Sequence, residues 1–167
     1  MRPLTYLLFA LGGLTASAQD KAAPKKAGGY PPVIAGTKVE TYRKVGSTEL
    51  KVWIFEPADK GSKPLPAIVF FFGGGWTGGT KNEARAAEIC GTLASAGYVA
   101  VSIDYRLGDG AWPTNLHDCK NAVRFLRAHA AEYHIDPKRI AVAGGSAGGH
   151  LALLTGLTAD QPEFEPT

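Results

Sequence analysis

Apolar and polar positions change period repeatedly along the chain, and each change marks a different element. Between Val39 and Val45 apolar residues alternate weakly with polar ones, Gly46-Ser47 marks a turn, and Leu50, Val52 and Ile54 then oppose Lys51, Trp53 and Phe55. A period of two on both sides of a turn predicts an antiparallel hairpin. Beyond the Pro64 to Pro66 punctuation the pattern becomes a continuous apolar run, Ala67-Ile68-Val69-Phe70-Phe71-Phe72. Such runs belong to strands covered on both faces, so a central parallel strand is predicted here.

Helical spacing follows. Thr80 and Glu83 form a capping box, and Ala86, Ile89, Cys90, Leu93 and Ala94 recur on one face until Gly97 ends the pattern. A strand over residues 98–105 leads through a glycine-rich turn to a second helix, on which Cys119, Ala122, Val123, Leu126 and Ala130 form one apolar stripe. Asp136-Pro137 is expected to break the chain before a strand over 139–143, and Leu151, Leu153, Leu154 and Leu157 mark a third helix. Strand and helix alternate from residue 66 onward. That order predicts an α/β fold in which an antiparallel hairpin precedes parallel strands joined by right-handed crossovers, with helices on both faces.

The ends of the chain read differently. Residues 1–18 carry one positive charge at Arg2, an apolar stretch from Leu4 to Leu14 and then Ala16-Ser17-Ala18, the pattern of a secretory signal cleaved before Gln19. The apolar core is shorter than the roughly 20 residues a membrane span requires. A secreted or periplasmic protein, free of the membrane after cleavage, is therefore expected. Residues 19–37 follow as a linker, rich in Lys, Ala, Gly and Pro over 20–32, and 38–167 carry the folded unit.

A hydrophobic share of 45% supports a packed core, while a net charge of +3, owed partly to Arg2, Lys25 and Lys26, leaves no nucleic-acid or polyanion footprint. Cys90 and Cys119 both fall on predicted apolar helix faces and read as small core residues rather than a metal pair or an obvious disulfide.

Chemistry concentrates at two glycine-rich turns. Gly144-Gly145-Ser146-Ala147-Gly148 fits GxSxG and directly follows the short apolar run Ile140-Ala141-Val142-Ala143. A serine at so sharp a strand-to-helix reversal needs small neighbours two positions away on either side, which Gly144 and Gly148 supply. Its hydroxyl is then placed to attack a carbonyl. At the carboxyl end of the predicted central strand lies Phe72-Gly73-Gly74-Gly75-Trp76. Backbone amides of consecutive glycines can approach a bound group closely, so Gly74 and Gly75 are candidate oxyanion donors together with Ala147. A phosphate-binding loop is disfavoured, because Gly79-Thr80-Lys81 has the wrong order for that motif.

These motifs, in this order and with Asp104-Tyr105-Arg106-Leu107 between them, resemble the α/β-hydrolase fold esterases. The likeness is to the carboxylesterase and hormone-sensitive-lipase-like branch, including bacterial esterases that deacylate decorated polysaccharides, and runs from about residue 38 to the end. It implies a nucleophile at Ser146, an oxyanion hole from Gly74, Gly75 and Ala147, no cofactor, no metal, and small-molecule or carbohydrate esters as substrates. It also implies that Asp104 and Arg106 form a structural pair, and that the two cysteine-bearing helices lie on opposite faces of the sheet with free thiols.

Two departures stand out. The family usually has histidine before the glycine triplet, where this chain has Phe72, and it draws its acid and base from sequence well beyond the serine. The chain is thus expected to be an amino-terminal part of such a sheet, cut after the nucleophile helix, poorly active by itself and with its last strand an uncovered edge. The competing expectation is a binding module that kept the sheet and lost the triad. Among the histidines, His150 is expected to pack or bond structurally, and His117, His129 and His134 to face solvent. Asp118, Asp136 and Asp160 are expected on a helix surface, in a turn and near the terminus. Trp76 and Trp112 are read as lining an acyl or sugar pocket or as packing under loops. Acyl and alcohol preference and oligomeric state stay open at this level.

Overall fold

The computed structural model describes residues 33–77 and 83–166. The signal segment, most of the linker and the Thr80 end of the expected capping box lie outside the described residues.

The chain forms β1 (Thr37–Val45), β2 (Thr48–Phe55), β3 (Leu65–Phe71), α1 (Glu83–Ser95), β4 (Val99–Ile103), α2 (Thr114–Ala128), β5 (Ile135–Gly144), α3 (Ala147–Leu157) and a short 3₁₀ turn (Pro162–Phe164). The strands make one sheet in the order β1-β2-β4-β3-β5. β1 and β2 are the expected hairpin, β2 joins β4 antiparallel, and β3 runs parallel to both β4 and β5. The apolar run of β3 is therefore the second-to-last strand of the sheet, flanked on both sides.

Alternation along the strands divides the core in two. Val52, Ile54, Ala67, Val69, Val99 and Val101 point to one face, where Leu116, Cys119 and Leu126 of α2 and Leu151 of α3 cover them. Trp53, Phe55 and Ala100 point to the other face, against Cys90 and Ala94 of α1. Helices thus cover both faces, as the alternating pattern requires. Cys90 and Cys119, both buried and unpaired, lie in these separate clusters. Burial pushes the Cys90 thiol up to about 12.

One boundary differs from expectation. Asp136-Pro137 does not precede the last strand but lies inside it: Leu65 pairs with Ile135 and Ala67 with Ile140, so β5 carries extra residues between consecutive partners. Asp136 tightens that bulge by accepting from the Lys138 amide at 2.9 Å and from Arg139 Nε at 2.8 Å. Arg139 Nη2 also donates to the Pro64 carbonyl at 2.7 Å. A proline is tolerated in such an interrupted ladder, where no hydrogen-bond donor is required of it. Among the described residues no helix is long and apolar enough to cross a membrane.

Candidate active site

Ser146 stands where β5 turns into α3, with φ 52° and ψ −123°. A non-glycine residue held at positive φ costs roughly 1–3 kcal/mol and persists only when its surroundings impose it. Glycines impose it here. A Cβ on Gly144 would overlap the carbonyl of Gly148, and one on Gly148 would overlap the carbonyl oxygens of Phe71 and Phe72. The reversal is thereby pressed against the end of β3, with no room for a side chain at Gly144 or Gly148.

Helix α3 begins with Gly148 N donating to Gly145 O at 2.9 Å and His150 N to Ser146 O at 3.1 Å. Ser146 occupies the N-cap position, yet its hydroxyl makes no capping hydrogen bond. The side chain is exposed, and among the described residues no hydrogen bond or ion pair engages it. A hydroxyl at a helix N-terminus lies in a field that favours negative charge on its oxygen.

The glycine loop comes up against this turn. A Cβ on Gly73 would lie 2.7 Å from Gly145 O and 3.1 Å from Ser146 Cβ, so the two backbones touch at that point. Gly74 and Gly75 follow, exposed, with φ of 149° and 63°. Gly75 needs its left-handed conformation, which the Trp76 backbone shares at φ 64°. Ala147, the first residue of α3, is buried. The structure thus brings Ser146, Ala147 and the Gly73 to Gly75 loop into one turn cluster at the carboxyl ends of β3 and β5.

Several other expectations change. Arg106 pairs with Asp118 where a pair with Asp104 was expected. Its Nε and Nη2 bond Asp118 Oδ2 and Oδ1 at 2.7 and 2.9 Å, and its backbone amide donates to Oδ2 at 3.1 Å. Asp118 is accordingly buried on the inner face of α2 rather than on its surface, and Arg43 reaches it at 3.3 Å. Hydrogen bonding to Asp118 raises the Arg106 guanidinium further above its ordinary value. Asp104 is also buried, and its Oδ2 accepts from the Lys51 amide at 3.0 Å.

His117 and His134 do not simply face water, for each has a buried Nε2 without a hydrogen-bond partner among the described residues. Burial, then the positive charge of Arg43, lowers the His117 value below the ordinary one. His129 is partly exposed and contacts Glu132 at 2.9 Å. His150 is exposed, and its ring meets Trp76 edge-on at 5.5 Å. Trp76 and Trp112 are themselves partly exposed, and Trp112 lies 6.2 Å from the Phe164 ring. Asp160 is exposed near the end of the chain at φ 66°.

Sequence reasoning assigned no role to Tyr105 or Gly108. The Tyr105 hydroxyl donates to the Phe72 carbonyl at 2.6 Å, and its ring stacks on Phe72 at 4.4 Å and 18°. Gly108 N donates to the Trp76 carbonyl at 2.9 Å. The aromatic residue at position 72 was the available signal, since a stacking ring needs a partner.

Comparison with known proteins agrees with this geometry. The BD-FAE family model matches residues 53–167. Esterase LipC of Mycobacterium tuberculosis is 39% identical over 117 residues, covering 70% of this chain and 28% of that protein. Neutral cholesterol ester hydrolase 1 of Bos taurus is 37% identical over 112 residues, covering 64% of this chain and 28% of that protein. Among solved structures, Thermogutta terrifontis esterase 2 phosphorylated by paraoxon is 41% identical with a TM-score of 0.72, over 82% of this chain and 52% of that one. The propionate-bound form is 43% identical with a TM-score of 0.68, over 79% and 51%. The chain therefore spans about half the length of these solved esterases and a smaller share of the curated relatives. With its mixed sheet, its helices on both faces and its sharp serine turn, the chain belongs to the BD-FAE family, among the α/β-hydrolase carboxylesterases of the hormone-sensitive-lipase-like branch.

Proposed function

We propose that the protein hydrolyses carboxylic esters with Ser146 as nucleophile and the amides of Gly74, Gly75 and Ala147 as oxyanion donors. Ser146 Oγ attacks the ester carbonyl carbon and gives up its proton to a base, while the carbonyl oxygen gathers negative charge against the amides. Collapse breaks the bond to the alcohol oxygen, which takes that proton, and water then releases the acid from the acyl-serine.

The observation that carries this reading is the strained, exposed Ser146 at φ 52°, whose hydroxyl makes no hydrogen bond among the described residues and whose turn touches the glycine loop through Gly73. None of the four histidines is bonded to it among the described residues, so the activating base and its carboxylate are assigned to the further length that the similar esterases possess. The propionate bound by one of those esterases supports a short acyl group. An aromatic or acetyl ester on a carbohydrate remains the larger-substrate version of the same chemistry. Residues 1–18 are read as an export signal, tested by amino-terminal sequencing of the mature protein for a start at Gln19.

The central test is hydrolysis of p-nitrophenyl acetate by the protein from its complete reading frame and by its Ser146→Ala variant. Loss of turnover in the variant, together with a diethylphosphoryl adduct on the Ser146 peptide of the parent after paraoxon treatment, supports the assignment. Equal rates remove Ser146 from the mechanism.

A further inference from the structure

Three consecutive glycines have little intrinsic restraint, and a loop built from them holds its amides in one place only if its ends are fixed. Position 72 holds a phenylalanine, which has no polar side-chain atom to anchor the loop. Both ends are nevertheless tied, and both ties come from the segment after β4. At the near end Tyr105 donates to the Phe72 carbonyl at 2.6 Å while stacking on the Phe72 ring. At the far end Gly108 N holds the Trp76 carbonyl at 2.9 Å.

We infer that Tyr105 is a positioning residue for ester hydrolysis: its hydroxyl and ring fix Phe72, and through it the Gly74 and Gly75 amides opposite Ser146. The inference rests on the proposed roles of Ser146 and the glycine loop. The grip itself is anchored independently of the loop. Arg106, next in sequence, is locked to buried Asp118 through its amide and its guanidinium. Asp104, the preceding residue, donates its amide to Lys51 O at 2.8 Å and receives the Tyr42 hydroxyl on its carbonyl at 2.6 Å. Tyr105 thus projects from a backbone fixed on both sides, while Phe72 leads into three glycines that carry no side chains of their own. Burial raises the Tyr105 phenol above its ordinary value, so it stays a proton donor through the neutral range. Phe72 and Tyr105 are both buried, and a hydrogen bond held away from bulk water is stronger than one in it.

The test uses the protein from its complete reading frame and compares Tyr105→Phe, Phe72→Leu and Ser146→Ala with the parent on p-nitrophenyl acetate. Tyr105→Phe keeps the stacked ring and removes only the hydroxyl. Its kcat is expected to fall about 10- to 100-fold, the scale of a small misplacement of reacting groups, with KM within about twofold, because the loss is felt where the oxyanion develops. Phe72→Leu keeps the backbone acceptor and removes the stack, and a smaller fall in kcat is expected. A variant damaged only in stability would show a lower melting temperature with an unchanged kcat per folded molecule, and that result overturns the inference. So does an unchanged kcat in Phe72→Leu should Tyr105→Phe not fold. An inactive Ser146→Ala beside a fully active Tyr105→Phe sinks the positioning role alone, whereas an active Ser146→Ala sinks the nucleophile assignment beneath it.

Discussion

Arg106 and Asp118 meet in a two-pronged contact, 2.7 and 2.9 Å, with the carboxylate wholly buried and the guanidinium about a quarter exposed. The contact joins the segment after β4 to α2 and leaves Arg43 a place on the same carboxylate. Removing one member of a buried pair strands the other charge, which costs roughly 3–5 kcal/mol.

Asp118→Asn should therefore lower stability by about 3 kcal/mol, the lower edge of that range because Arg106 retains some water. Urea denaturation of both proteins checks this. A difference below about 1 kcal/mol, the usual size for exposed pairs, would mean that the pair behaves as a surface contact.

The serine turn makes a sharp distinction between two of its glycines, Gly145 and Gly148. An added Cβ at Gly148 has no space beside the Phe71 and Phe72 carbonyls, whereas at Gly145 it meets nothing within 4 Å. Gly145→Ala is expected to stay within about 0.5 kcal/mol of the parent. Gly148→Ala should lose several kcal/mol, through overpacking against rigid backbone, along with esterase turnover. Thermal melts and p-nitrophenyl acetate assays on the two variants decide the matter, and equal behaviour would contradict the tight approach of β3 to α3.

Stability and activity should part company at Ser146. Its positive φ suits glycine and strains any L side chain. Ser146→Gly and Ser146→Ala should both be inactive, with the glycine variant more stable by about 1 kcal/mol once the extra freedom of its unfolded chain is deducted. Chemical denaturation of the pair is the measurement. An alanine variant at least as stable as the glycine one would show that the turn is unstrained.

Acid should weaken the fold through His117. Burial and the nearby Arg43 hold its folded value below the ordinary 6.5, so between the two values the unfolded chain binds a proton that the folded chain refuses. The stability owed to this residue is complete above about pH 6.5 and is lost as pH falls through the folded value. Replacing it, as in His117→Gln, should flatten the decline in denaturation free energy from about pH 7.5 to about pH 5.5. An identical slope in both proteins would assign the acid sensitivity to other groups.

Local pattern carried much of this architecture. The uninterrupted run from Ala67 to Phe72 marked the doubly covered strand, and the cysteine-bearing stripes marked the inner faces of α1 and α2, because burial there depends on neighbours a few positions away. The serine turn was legible for a similar reason: it is made of sterics within five consecutive residues. Asp118 was not, since a carboxylate on a helix reads as solvated until a guanidinium arrives from another segment to neutralise it. His117 and His134 read as solvent-facing because the local pattern does not show that each keeps a buried Nε2. Asp136-Pro137 looked like a break because proline cannot continue a regular ladder, but the ladder resumes beyond the bulge. The tie between Tyr105 and Phe72 joins residues far apart in sequence, and no periodicity announces it.

The sheet order β1-β2-β4-β3-β5 also has a consequence for synthesis. Leu65–Phe71 leaves the ribosome before either of its hydrogen-bonding neighbours does, and it stays a sticky, unsatisfied ribbon until Val99–Ile103 and then Ile135–Gly144 have emerged. Nascent chains of this protein are consequently candidates for chaperone capture at that stretch, where ribosome stalling or translation speed would govern the yield of native molecules.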